Sequence, residues 1–356
     1  MVKHGRFPRA VRLCRSVAMA ALVALVAPGA ATSAAAAAPQ QRATKTPARA
    51  QAKPAHSADA ARARRARLAR QRAAAAQRAL QDAQTPRFRI DDLGREVPDV
   101  RAAAAIVYNP ETEEVLWESN AQAPRSIASI TKVMTAIVTL DSGIPLDSVV
   151  TIQRSDVLRA SVTYLATGYK VTVEDLLNLT LVASDNAAAR ALARVSPYGA
   201  RGFVDRMNEK AVELGLTNTH YADPSGLLAA NESSAYDQAR LIAYASGDER
   251  ISAMMRKAQH SVRLGRRIVT VNSTNQIVKT GDIDVLGGKT GFISRSGYCL
   301  ATLLRLPETG QQVAVVVLGA QSNVGRFWET RHLFNWVASK ARAVFSASNL
   351  DQPDEN

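Results

Sequence analysis

Between residues 104 and 340 the apolar pattern changes period twice, and this ordering leaves the chain few folds to adopt. Segments 104–108 and 114–118 read as strands joined by the turn-forming cluster Asn109-Pro-Glu-Thr112. Helical spacing begins after Ser129 and recurs over 173–183, 187–195, 203–214 and 235–246. Strand patterns return at 267–271, 285–290, 298–304 and 312–318, and a last helix is predicted over 324–340. Strands at both ends with helices between predict one mixed sheet packed by helices. The roughly 250 residues from Arg89 onward suffice for a substantial core.

Three short polar motifs interrupt those apolar segments in order: Ser129-Ile-Thr-Lys132, Ser184-Asp-Asn186 and Lys289-Thr-Gly291. Ser129 precedes Ile130, Val133, Met134, Ile137, Val138 and Leu140, whose spacing of three and four marks a buried helix starting near the serine. Free N–H groups and the positive dipole end at a helix start favour a developing anion. Lys132 lies one turn on, over the same face. A serine hydroxyl becomes nucleophilic only when a neighbouring base takes its proton. An amine can be that base if burial and nearby cations lower its pKa, and Lys289 is a candidate for such a cation.

Other chemistries find no support. The five histidines, His4, His56, His220, His260 and His332, sit in no nucleophile-elbow or zinc context, and glycine-rich nucleotide loops and paired cysteine motifs are missing from the sequence. No metal or cofactor is expected. Cys299, inside an apolar run, reads as a small core residue.

Each motif alone is weak, but the ordered set is the one associated with penicillin-binding proteins and class A β-lactamases. With the flanks Arg125-Ser-Ile-Ala-Ser-Ile-Thr-Lys-Val-Met-Thr-Ala136, Leu181-Val-Ala-Ser-Asp-Asn-Ala187, Met207-Asn-Glu-Lys-Ala211, Leu214-Gly-Leu216, Asp223-Pro-Ser-Gly-Leu227, Gly287-Gly-Lys-Thr-Gly-Phe292 and Gly297-Tyr-Cys-Leu300, residues 100–340 resemble the low-molecular-mass penicillin-binding proteins. These are D-alanyl-D-alanine peptidases. The resemblance implies a mixed α/β, serine β-lactamase-like fold: one catalytic domain with an antiparallel sheet of about five strands flanked by helices. It implies that Ser129 attacks the D-Ala carbonyl, Lys132 acts as base and Ser184 relays the proton to the leaving amine. Asn186 supports the polar network, Lys289 and Thr290 grip the substrate carboxylate, and Gly291 and Phe292 complete the substrate-binding strand. The oxyanion donors would be the backbone N–H groups of Ser129 and Phe292.

A second copy of the third motif, Lys279-Thr-Gly281, runs into Gly281-Asp-Ile-Asp284, which reads as a loop, whereas Lys289 follows Gly287-Gly288, and this favours Lys289. A β-lactamase would need fast deacylation, yet the class A Glu-x-x-Leu-Asn segment is missing, and residues 213–217, the nearest match, lack the Asn. Slow release of penicillin is therefore expected, with β-lactams acting as covalent inhibitors and peptidoglycan stem peptides as substrates. Only 20 residues follow Trp336, so the resemblance leans towards the endopeptidase-type branch, with trimming of terminal D-Ala also open.

The net charge of +14 belongs to the amino-terminal part. Residues 1–90 hold 18 Lys and Arg against two acids, which leaves residues 91–356 slightly acidic. Basic residues before the 11-residue apolar run 17–27, then alanine-rich sequence, follow the plan of a secretory signal over 1–38; an uncleaved anchor is the alternative. Export across the inner membrane, to the periplasm or cell envelope, is expected. Residues 39–88 read as a disordered basic linker in which 60–81 has strong helix propensity without an apolar face, a transient helix or solvated tether; the alternative is an arm making weak electrostatic contact with an anionic envelope surface. A non-enzymatic envelope or nucleic-acid binder would rest on this linker alone, and it has no aromatics to stack bases. The catalytic domain is expected over 89–343 and a disordered acidic tail over 344–356.

Overall fold

The computed structural model describes residues 56–350. The chain divides into two units, 1–60 and 61–356, and the fold lies in the second. The expected signal over 1–38 lies outside the described residues.

Five strands form the central antiparallel sheet: β1 (Ala104–Asn109), β2 (Glu114–Ser119), β3 (Val285–Ile293), β4 (Gly297–Arg305) and β5 (Gln312–Ala320). Their spatial order is β3-β4-β5-β1-β2, so the first strand of the sheet pairs with the last, Ile106 opposite Val316, and β3 is left as a free edge. The helices of eight residues or more are α1 (His56–Gln84), α2 (Lys132–Asp141), α3 (Val173–Val182), α4 (Asn186–Val195), α5 (Gly199–Glu213), α6 (Ala235–Gly247), α7 (Glu249–Arg256) and α8 (Asn323–Leu350).

Alternation along the inner strands sends successive side chains to opposite faces. Ile106, Cys299, Ala301, Leu303 and Val316 pack under α2 to α7 in the larger core. Ala105, Val107, Leu300, Leu304, Val315 and Val317 meet Phe327, Leu333, Phe334 and Val337 of α8. With both faces covered, these strands read as continuous apolar runs. Local signals fix the helix starts: the side chains of Thr172, Asp185 and Ser234 accept the N–H of Asp175, Ala188 and Asp237, and so cap α3, α4 and α6.

The structure corrects several expectations. Residues 56–84, within the predicted linker, form α1, a full helix where the same composition predicts only a transient one over 60–81. Strand 267–271 is present but pairs with Gln259–Leu264 in a separate hairpin, and α7 was not predicted. Residues 281–284 are the loop expected there, and Lys279 is exposed on a short helix, Gln276–Thr280, that precedes it. Helix α8 runs to Leu350, into the predicted disordered tail; residues 351–356 lie outside the described residues. Among the described residues no helix is long and apolar enough to cross a membrane.

Candidate active site

Ser129 sits in a single 3-10 turn, Ala128–Thr131, just ahead of α2, so Lys132 is the first residue of the α-helix. The turn places Lys132 Nζ 2.9 Å from Ser129 Oγ. The same amine donates to Asn186 Oδ1 at 2.7 Å and to the carbonyl of Ser225. Ser129 is half-buried, whereas Lys132 is 0% exposed and meets no carboxylate in hydrogen-bond contact. Burial is the first cause that lowers its pKa to about 7; the charges of Asp223 and Asp185 oppose the shift and that of Arg190 adds to it.

Asn186 reaches the lysine because α4 begins there. Asp185, the cap, accepts the N–H of Ala188 and of Tyr164, which fixes both the helix start and the loop beside it. Asn186 Nδ2 donates to the Ala160 carbonyl at 2.6 Å, which leaves Oδ1 turned to Lys132. Ser184, immediately before the cap, is held at φ +60°, an unusual conformation for a residue with a side chain.

Lys289 comes from the free-edge strand β3. Its Nζ donates to Ser184 Oγ and to the Thr290 carbonyl, both at 2.9 Å, and the side chain is 1% exposed. Burial lowers its pKa well below the ordinary lysine range, and the Lys132 and Arg326 charges add to this. The charges of Lys132 and Lys289 disfavour one another, and Arg190 adds to the lowering at Lys132. Thr290 Oγ1 lies 2.6 Å from Thr274 Oγ1. Gly291 lies tight against the nucleophile turn: a Cβ there would fall 2.5 Å from the Ile127 carbonyl oxygen and 3.2 Å from Ser129 N. Phe292, 49% exposed, stacks on Tyr298 with ring centroids 4.2 Å apart.

The three motifs therefore meet at one edge of the sheet in two hydrogen-bonded sets, Ser129–Lys132–Asn186 and Ser184–Lys289. Sequence reasoning missed two contributors. One is the Ser225 carbonyl, held by Asp223, whose carboxylate accepts the N–H of Ser225, Gly226 and Leu228 and the Asn231 amide. A backbone carbonyl leaves no side-chain signature; the available signal was Gly226, at φ +77° and so close to Ala128 that a Cβ would fall 2.0 Å from its carbonyl oxygen. The other is Arg326, an arginine of α8 outside the three motifs, which bonds the Gly291 carbonyl.

A family model described as D-alanyl-D-alanine carboxypeptidase, peptidase S11, matches residues 92–322. A D-alanyl-D-alanine endopeptidase of Pseudomonas aeruginosa is 33% identical over 243 residues, spanning 67% of this chain and 78% of that protein. The D-alanyl-D-alanine carboxypeptidase DacD of Escherichia coli is 32% identical over 253 residues, 67% of this chain and 63% of its own. The crystal structure of the Streptomyces K15 DD-transpeptidase superposes with a TM-score of 0.62 at 28% identity, covering 67% of this chain and 97% of that one. The antiparallel five-stranded sheet flanked by helices is the fold of these enzymes, and the chain belongs to the S11 family of serine D-alanyl-D-alanine peptidases.

Proposed function

We propose that Ser129 is the acylated nucleophile of a peptidase that acts on peptidoglycan stem peptides ending in or cross-linked through D-Ala. The observation that carries this is the contact between Ser129 Oγ and a fully buried Lys132 amine whose pKa lies near 7. At neutral pH a large share of such amines is unprotonated and can take the serine proton as the hydroxyl attacks the carbonyl. The oxyanion would form between the N–H groups of Ser129 and Phe292. Ser184 Oγ, which accepts from Lys289 Nζ, would pass a proton to the departing amine, and hydrolysis of the ester would then free Ser129. A substrate carboxylate beside Lys289 and Thr290 would restore the positive charge that burial disfavours in the empty site.

Endopeptidase action on cross-links, alongside carboxypeptidase action, is supported by the rim. Leu158, Val162 and Tyr164 on the loop beside Asn186, and Phe292 on the free edge, are exposed apolar groups along which a second peptide could lie. The Pseudomonas aeruginosa relative, with more of its length matched than the carboxypeptidase DacD, bears an endopeptidase name. β-Lactams would acylate the same serine. The basic region before the apolar run at 17–27 supports export to the cell envelope, where arginine-rich α1 would add weak contact with anionic surfaces.

Labelled penicillin should modify the wild type at Ser129 and leave Ser129→Ala unlabelled; labelling of the variant would refute the assignment. Incubation with a cross-linked muropeptide dimer and a monomeric pentapeptide, followed by mass, should show both cleaved. An intact dimer beside released D-Ala would limit the activity to trimming.

A further inference from the structure

Arg326, on α8, sends Nη1 to the carbonyl oxygen of Gly291 at 2.9 Å and to that of Cys299 at 3.1 Å. Cys299 is the residue directly opposite Gly291 across the β3–β4 pairing, so the Gly291 carbonyl is turned towards β4. In an extended strand the C=O of one residue and the N–H of the next belong to one planar peptide and point to opposite sides. The N–H of Phe292 is therefore turned to the free edge of β3, the side on which Ser129 lies.

The same guanidinium holds the other end of that peptide through aromatic contacts. It lies over the Tyr298 ring at 5.5 Å, and Tyr298 stacks on Phe292. Arg326 is 6% exposed, bonds Asn323 Oδ1, and pairs with no carboxylate among the described residues. A buried cation without a counter-ion is costly. Here its charge falls on the acceptor end of a peptide whose donor end faces the nucleophile. Hydrogen bonds in series polarise one another, so a cation on the carbonyl makes the distal N–H a better donor.

Resting on the acyl-transfer role of Ser129, we propose that Arg326 is a positioning residue: it orients and polarises the Gly291–Phe292 peptide so that the Phe292 N–H stabilises the oxyanion, and it touches no substrate atom. Burial lowers its pKa only to about 10, so the guanidinium stays charged at neutral pH.

The test compares Arg326→Met and Arg326→Lys with the wild type, with folding checked by circular dichroism melts. Removing an oxyanion donor outright lowers rates about 10²–10³-fold, so loss of its support should lower acylation about 10- to 100-fold in Arg326→Met. Arg326→Lys, which keeps a buried cation near the carbonyl, should retain more activity. The loss should fall on kcat and be equal for a D-Ala-D-Ala peptide and its C-terminal methyl ester. Infrared difference spectra of the penicilloyl-enzyme made with a ¹³C-labelled β-lactam should show the ester carbonyl stretch at higher frequency in Arg326→Met, reporting a weaker oxyanion hole. A loss confined to the free carboxylate substrate would overturn the proposal, because Arg326 would then bind substrate directly. An unmoved carbonyl frequency in Arg326→Met would overturn it as well. Failure of the wild type to form any acyl-enzyme would remove the Ser129 assignment itself, an outcome visible before either variant is made.

Discussion

On the α8 face of the sheet, Glu329 is 7% exposed and accepts the backbone N–H of Arg101 and of Ala102 with its two carboxylate oxygens. At the free edge on the other face, Lys132 and Lys289 are more deeply buried and meet hydroxyls, an amide and carbonyls, with no carboxylate in contact. Lys210, on α5, shows what a lysine of this chain does when paired: salt bridges to Asp141 and Glu213 raise its pKa. Burial disfavours the charged form at both places, raising the Glu329 pKa and lowering those of the lysines, so geometry separates them: Glu329 fastens two backbone N–H groups, whereas the Lys132 amine, against Ser129 Oγ, is ready to exchange a proton with the nucleophile. The two regions should therefore respond to mutation in opposite ways.

The largest effect is expected at Lys132. Lys132→Met should lower the acylation rate about 10²–10⁴-fold, the range for loss of a general base, while the melting temperature stays level or rises. A variant that loses stability along with activity would show that the amine is a fastening after all. The unfolded chain keeps this proton up to the ordinary lysine value while the folded one releases it near pH 7, so it binds fewer protons in that window. Wild-type stability should accordingly gain from Lys132 as pH rises from about 7 towards 10.5, and Lys132→Met should lack that gain.

Next in size is Lys289→Ala, which should slow acylation by about 10²-fold through loss of its hold on Ser184 and on the substrate carboxylate. Lys279→Ala, on an exposed short helix, should leave the rate unchanged. Equal losses in the two variants would place the third motif wrongly.

At Glu329 the order reverses. Glu329→Ala leaves two buried N–H groups without acceptors and should cost about 1–3 kcal/mol of stability by denaturant titration, with acylation per folded molecule retained. Loss of activity out of proportion to unfolding would mean that the two faces are coupled.

The smallest effect belongs to Asp223→Asn. Asp223 raises the Lys132 pKa from close by, so its neutralisation should move the acid limb of the acylation profile to lower pH. A shift to higher pH would show that ordering the Ser225 loop matters more than charge.

The sequence made the core elements legible because period and length agreed. The strands around Ile106, Leu303 and Val316 read as apolar runs, and the helices after Ser129, Val173 and Ala235 carried the 3.6-residue spacing. The hairpin 259–272 was half hidden because His260, Ser261 and Arg263 interrupt a strand whose buried residues are only Val262 and Leu264. In α1 a helix forms without an apolar stripe, and periodicity has nothing to detect there. At the site, side chains with a chemical signature could be named in advance: Ser129, Lys132, Ser184, Asn186 and Lys289. The Ser225 carbonyl and the Gly291–Phe292 peptide act through backbone, which any residue supplies, so only the close approach at Gly226 and Gly291 marks them.

The central claim, that Lys132 is a neutral base at physiological pH, is tested most directly by the pH dependence of the second-order acylation rate with a β-lactam that does not titrate between pH 5 and 10. The account predicts a rate that rises with pH and is half-maximal near pH 7, with the step abolished in Lys132→Met. A half-maximum above about pH 9, where an ordinary lysine begins to lose its proton, would contradict it.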